Sequence, residues 1–203
     1  MSHAPSIVWF KRDLRNRDHA PLLAASQSNS TVIPLYIVEP EYWQQPFASR
    51  RHWHFVHDCL VDLNIALTDL GQPLIVRVGD VCDVIAQLHE QHGVGDVYMH
   101  EETGNSWTYE RDLKVEKLCL DLNISSHEFP TNGVVRRLRS RDDWSKIRNA
   151  RMAENITAKP DNLVPTLGCQ SDSLPEKDDP MFGNTPIGNV QKGGRTQAIA
   201  DLR

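Results

Sequence analysis

Ser6-Ile7-Val8-Trp9-Phe10 runs directly into Lys11-Arg12-Asp13-Leu14-Arg15-Asn16-Arg17-Asp18. Four consecutive apolar residues cannot present alternate faces to core and water, so this run reads as a strand covered on both sides. The charged octet that follows marks the edge at which the strand leaves the core. Four further β-rich runs repeat the pattern: Thr31 to Ile37 (TVIPLYI), Leu74 to Val78 (LIVRV), Asp96 to Met99 (DVYM) and Ile124 to Phe129 (ISSHEF). Helix-length segments separate them, and such alternation is the mark of a parallel sheet.

The intervening helices follow from their periodicity. Asp18 is placed to cap a helix through Leu22, Leu23 and Ala24. From Ser49 to Leu70, Trp53, Val56, Leu60, Leu63, Ile65 and Leu67 recur at helical spacing before Gly71. Asp80 opens a third helix with Val81, Val84, Ile85 and Leu88 inward, and a fourth runs from about Ser106 to Leu122 with Trp107, Leu113, Val115, Leu118 and Leu122. Right-handed crossovers then predict a Rossmann-like, doubly wound five-stranded parallel sheet in three α/β/α layers. Ligands of such sheets sit beyond the carboxyl ends of the strands.

Composition excludes several classes. The chain of 203 residues is 39% hydrophobic and 24% charged, and no apolar run approaches the roughly 20 residues that span a bilayer. Met1-Ser2-His3-Ala4-Pro5 has no signal-peptide pattern, so a cytoplasmic protein is expected. Cys59, Cys82, Cys119 and Cys169 are widely spaced and read as reduced core thiols. A formal charge of −5 argues against polyanion affinity of the chain as a whole. No GxGxxG follows the first strand, and GxxxxGK[ST], GxSxG and HExxH are absent, which disfavours ordinary dinucleotide, P-loop, hydrolase and zincin chemistry. His52, His54 and His57 share a helix, but neither Asp58 nor Cys59 completes a ligand pattern with them, so no metal is expected.

Beyond Met152 the pattern changes. Lys159 to Asn189 is rich in Pro, Gly, Asn, Asp and Ser and reads as a linker or wrapping segment, after which Gly193-Gly194-Arg195 turns into a short helix. The expected division is an α/β domain over 1–155, an interdomain linker over 156–192, and the start of another domain over 193–203.

Strand ends supply the candidate ligand contacts: Arg12, Asp13 and Leu14 after the first strand, Glu39 after the second, and Glu101, Glu102 and Asn105 after the fourth. Their plain alternative is local pairing, of Glu101 and Glu102 with Arg111 for example. Arg136, Arg137, Arg139 and Arg141 form the most basic tract, with Asp142 and Asp143 immediately after, and are candidates for interdomain salt bridges or DNA phosphate contact. Trp9, Trp43, Trp53, Trp107 and Trp144 read as core or interface anchors.

IVWFKRDLRNRDHAPL, from Ile7 to Leu22, resembles the opening of DNA photolyases and cryptochromes. YIVEPEYW, RHWHFVHDCLVDLNIAL, GQPLIVRVGD, HEETGNSWTYERD, NGVVRRLRSRDDW and the terminal GGR agree with that family in order. The resemblance implies a FAD-dependent parent: a deoxyribodipyrimidine photolyase, a carbon–carbon lyase repairing pyrimidine dimers in light, or a cryptochrome. It implies an all-helical FAD-binding domain of the same chain as partner, DNA as the parent's substrate, and a piece that is not catalytic alone. It also implies that the strand-end residues line an antenna site. The HEETGNSW loop departs from the asparagine–glutamate pairing of folate-binding relatives, which leaves a deazaflavin, a reduced folate, a flavin or an empty site open. A stand-alone nucleotide- or chromophore-binding module is the alternative.

Overall fold

A computed structural model of the chain describes residues 4–131, 133–136 and 138–202. Five strands form one sheet: β1 (Ser6–Phe10), β2 (Val32–Val38), β3 (Ile75–Val78), β4 (Asp96–His100) and β5 (Ser125–Phe129). The helices are α1 (Ala20–Gln27), α2 (Pro40–Trp43), α3 (Arg50–Thr68), α4 (Val81–His92), α5 (Ser106–Asp121), α6 (Trp144–Met152) and α7 (Arg195–Asp201).

All strand pairs are parallel, in the order β3-β2-β1-β4-β5. β1, buried along its whole length, lies in the middle: Ile7 is opposite both Ile33 of β2 and Val97 of β4. The pleat sends Val8 and Phe10 to one face, with Leu22 of α1 and Trp53, Leu60, Leu63 and Leu67 of α3. Ile7 and Trp9 point to the other face, with Val84, Ile85 and Leu88 of α4 and Val115 and Cys119 of α5. Both faces are therefore cores, and each fully buried large side chain contributes about 1.5–3 kcal/mol of transfer free energy. No helix is long and apolar enough to cross a membrane, among the described residues.

The structure corrects three local expectations. Asp18 does not cap α1; His19 does, its Nδ1 accepting from Leu22 N–H at 3.1 Å. Asp18 stands at φ +55° and exchanges hydrogen bonds with Thr157, donating to its carbonyl at 2.8 Å and accepting from its N–H at 3.2 Å. Ile65 and Leu113, expected inward, are 59% and 42% exposed. Each lies off the stripe that faces the sheet on its own helix, Leu60, Leu63 and Leu67 on α3 and Val115 and Cys119 on α5.

Residues 157–194 lie along the domain as a strap. Val32 N–H donates to Val164 O at 2.8 Å, Leu163 N–H to Leu70 O at 2.7 Å, and Asp172 N–H to Val76 O at 2.8 Å, so the outer edge of β3 is covered. Leu163 and Phe182 are 3% exposed, and Phe182 stacks on Trp53 with ring centroids 4.0 Å apart. The strap ends at Gly193-Gly194, pressed against α3 by the bond from Gly194 N–H to Cys59 Sγ at 3.1 Å.

Candidate functional site

The carboxyl ends of β1 and β2 open into a cavity of 430 Å³. Proline at the first position of α2, immediately after Glu39, starts that short helix and swings Tyr42 and Trp43 over the strand end. Tyr42 meets Trp43 and Trp107 edge-on, at 5.2 and 5.6 Å between centroids. Tyr36, Trp43, Leu14 and Val56 give the cavity an apolar wall, and Phe55 and Arg195 stand with them in its lining.

Arg111, from the second turn of α5, organises the polar side. Its guanidinium lies 4.8 Å from the Trp9 ring and donates to Glu39 Oε2 at 2.8 Å, to Glu102 Oε2 at 3.2 Å and to Asp112 Oδ1 at 2.8 Å. Lys11 bonds Asp112 Oδ2 at 2.5 Å, and Arg12 pairs with the other oxygen of Glu102. Burial pushes the Glu39 carboxyl up to about 7, Asp80 and Asp112 adding to the shift and Arg111 opposing it. A carboxyl that changes charge near neutrality, beside aromatic walls, can accept a hydrogen bond from a ring N–H or, protonated, donate one to a ring carbonyl.

A second cluster lies under the β1–β4 junction. Asp13 Oδ1 accepts from Lys11 N–H at 2.8 Å, and Oδ2 lies 2.5 Å from His100 Nδ1 and 2.8 Å from His19 Nε2. Burial alone would raise the Asp13 carboxyl, but its bonds with His100 and His19 outweigh it and hold the carboxyl well below the usual range. Two histidines and a carboxylate this close are a donor set for a transition metal. The backbone bond from Leu22, however, occupies His19 Nδ1 and leaves the ring proton on Nε2, facing Asp13. With Nδ1 taken by the backbone, His19 faces Asp13 across 2.8 Å through a protonated Nε2, which does not suit a metal ligand. His52, His54 and His57 are not gathered with them; His57 instead packs edge-on to Trp53 at 5.8 Å.

Of the residues read from the sequence, Arg12, Leu14, Glu39 and Glu102 meet in the 430 Å³ cavity. Asp13 and Glu101 line a neighbouring space of 320 Å³ with His100. Asn105 caps α5, its side chain accepting from Thr108 N–H at 3.0 Å. Glu101 pairs with Arg136 and not with Arg111, and Arg136 also holds Glu128. Arg139 is exposed, while Arg137 lies outside the described residues. Sequence reading missed Tyr36, Tyr42 and Arg195 as cavity residues and Arg111 as its hub. For Arg111 a signal existed, since Arg-Asp one turn inside a helix that starts at a strand end is directed at the ligand edge.

The model of the DNA photolyase family matches residues 6–146. The chain belongs to the DNA photolyase family. It is 31% identical over 136 residues to the chloroplastic/mitochondrial cryptochrome DASH of Solanum lycopersicum, covering 64% of this chain and 22% of that protein. Against cryptochrome DASH of Gloeobacter violaceus the identity is 32% over 132 residues, covering 62% and 26%. A deoxyribodipyrimidine photo-lyase of Agrobacterium fabrum is 35% identical over 94 residues, 46% of this chain and 19% of that one. This photolyase-family chain thus spans about a quarter of the length of the curated relatives it matches. Its fold is that of a Synechocystis cryptochrome, with TM-score 0.77 and 22% identity over 100% of this chain and 46% of that one. It is likewise that of a Sulfolobus tokodaii photolyase solved with two FAD molecules and described as implying a novel light-harvesting cofactor, with TM-score 0.76 and 20% identity over 98% and 46%.

Proposed function

We propose that the 430 Å³ cavity is an antenna-chromophore site and that the chain is the α/β domain of a FAD-dependent photolyase or cryptochrome. The observation that carries the reading is the cavity itself: in a photolyase-family chain, aromatic walls and a buried ionisable carboxyl converge at the carboxyl ends of β1 and β2. Its volume lies in the range of small-molecule sites, which begin near 300 Å³. Tyr42 and Trp43 offer ring faces, Glu39 offers one polar anchor, and Arg111 fixes Glu39. A bound antenna would supply light absorption and pass excitation to the FAD of the whole protein. These residues would orient the ring and exclude water from it. The aromatic walls suit a flavin or deazaflavin ring.

The whole protein would then bind FAD in a helical domain, act on DNA in light or signal, and dock that domain on this one. Val61 and Ile65, one turn apart on α3, are 43% and 59% exposed, and Ile199 of α7, which packs on α3, is 39% exposed. Such apolar exposure favours a docked neighbour over a stand-alone module. Arg139 and Arg141 are exposed candidates of the tract for DNA phosphate, since Arg136 is committed to Glu128 and Glu101.

The test is the near-ultraviolet and blue absorption of the purified chain, before and after incubation with riboflavin, a deazaflavin and a reduced folate followed by gel filtration. A ring compound should co-elute with a shifted band, and Val56→Phe, which fills the cavity from its wall, should abolish retention. No retention of any ring by the folded chain, or equal retention by Val56→Phe, would overturn the assignment.

A further inference from the structure

We infer that Arg195 reads an anionic tail on the cavity's ligand, making the site selective for a phosphorylated ring over the same ring without phosphate. The inference rests on the chromophore-site reading above and adds the chemistry of the cavity mouth.

The cations lining the cavity divide by their partners. Arg111, Lys11 and Arg12 are each paired with one or more of Glu39, Glu102 and Asp112. Two more guanidiniums line the same cavity, Arg15 and Arg195. Arg15 donates through Nε to the Asp18 carbonyl at 3.0 Å and lies 4.0 Å from its carboxylate, while Arg195 is exposed and has no ion partner among the described residues. The exposed Arg195 therefore adds an unspent positive charge to the outer side of a cavity whose walls are aromatic and whose Arg111, Lys11 and Arg12 are already paired. A ligand matching all three parts has a flat apolar ring, one or two polar ring atoms, and an anionic group at its outer end.

Arg195 is also held in place. A Cβ added at Gly193 would lie 2.1 Å from the Phe55 carbonyl and 2.8 Å from Cys59 Sγ, so only glycine allows the strap this close to α3. Gly194, at φ +105°, donates to Cys59 Sγ, and Thr196 N–H donates to Asp62 Oδ2 at 3.2 Å. Backbone bonds on either side of Arg195 thus fix its base beside the cavity, leaving only side-chain rotamers to order on binding. A guanidinium suits phosphate because it presents paired donors to two oxygens.

Riboflavin and flavin mononucleotide share one ring and differ by the phosphate, so they separate tail from ring. Fluorescence titration at low salt should show the mononucleotide binding about tenfold or more tightly than riboflavin, as expected of a charge-assisted contact. R195A should erase most of that ratio by weakening mononucleotide binding more than riboflavin binding, R195K should retain part of it, and added salt should shrink it. Riboflavin binding by R195A also reports that the variant is folded. Riboflavin bound with a ratio near one, or a ratio unchanged in R195A, overturns the role of Arg195 and leaves the chromophore site standing. If neither compound binds the folded chain, the Arg195 reading falls, and the chromophore site falls with it when the deazaflavin and the reduced folate are not retained either.

Discussion

Arg111 and Glu39 stand 72 residues apart in the chain and meet at 2.8 Å, Nη1 to Oε2, across the carboxyl end of the sheet. The same guanidinium also serves Glu102 and Asp112, so one side chain satisfies carboxylates from three segments. Removing it leaves the buried Glu39 without a cation, while Asp112 and Glu102 keep Lys11 and Arg12.

Arg111→Ala should accordingly destabilise the chain by about 3–5 kcal/mol, the cost of an uncompensated buried charge, measured by urea denaturation. Arg111→Lys should recover only part, because an ammonium lacks the planar fork that bridges Glu39 and Asp112 while lying over the Trp9 ring. Equal stability of wild type and Arg111→Ala would show that the cluster is not buried in solution.

Glu39 should leave a signature in the pH dependence of stability. Its folded value of about 7 lies above its ordinary 4.5, so between these limits the folded chain holds a proton that the unfolded chain has released. Stability contributed by this group therefore falls as pH rises from about 4.5 to 7 and stays low above, by an amount on the order of 3 kcal/mol. His19, lowered by burial, acts in the opposite direction through its own range, so the comparison must be with Glu39→Gln. Subtracting the two denaturation profiles should isolate the falling component; a flat difference would refute it.

Asp13 predicts the reverse slope at lower pH. Its folded value is depressed, so the stability it contributes is present above the unfolded value of 3.8 and is lost as pH falls through the folded one. His100→Ala removes one of its donors and should move the acid-unfolding midpoint, followed by circular dichroism, to higher pH. The cost at neutral pH should be about 1.5–3 kcal/mol, that of a hydrogen bond to a charged group. An unmoved midpoint would mean that His19 and Lys11 N–H suffice.

The strap should behave as part of the core. Phe182→Ala removes the ring stacked on Trp53 and should cost about 3–4 kcal/mol. Limited proteolysis of the wild-type chain should spare 160–182, because Leu163, Phe182 and the bonds to Val32, Leu70 and Val76 anchor it. Rapid removal of this segment with the remainder intact would contradict the packing.

What the sequence alone determined is what local physics can encode. Runs such as IVWF and VIPLYIV specify buried strands because consecutive apolar residues leave no face for water. Ser49 and Asp80 specify helix starts because capping acts over two or three residues. The same order of motifs carried the family resemblance, and it placed Arg12, Leu14, Glu39 and Glu102 at one edge of the sheet. The first helix shows the limit of that reading, because Asp18 and His19 are both competent caps and the choice fell to Thr157, far along the chain, which engages Asp18. Tertiary structure alone decided the convergence of Arg111 with Glu39, the sharing of Asp13 between His19 and His100, and the arrival of Arg195 at the cavity mouth. Each joins side chains carried by different crossovers or by the strap, and no local spacing rule reaches that far. Their partners were set by strand order and by the close packing that Gly193 permits against α3.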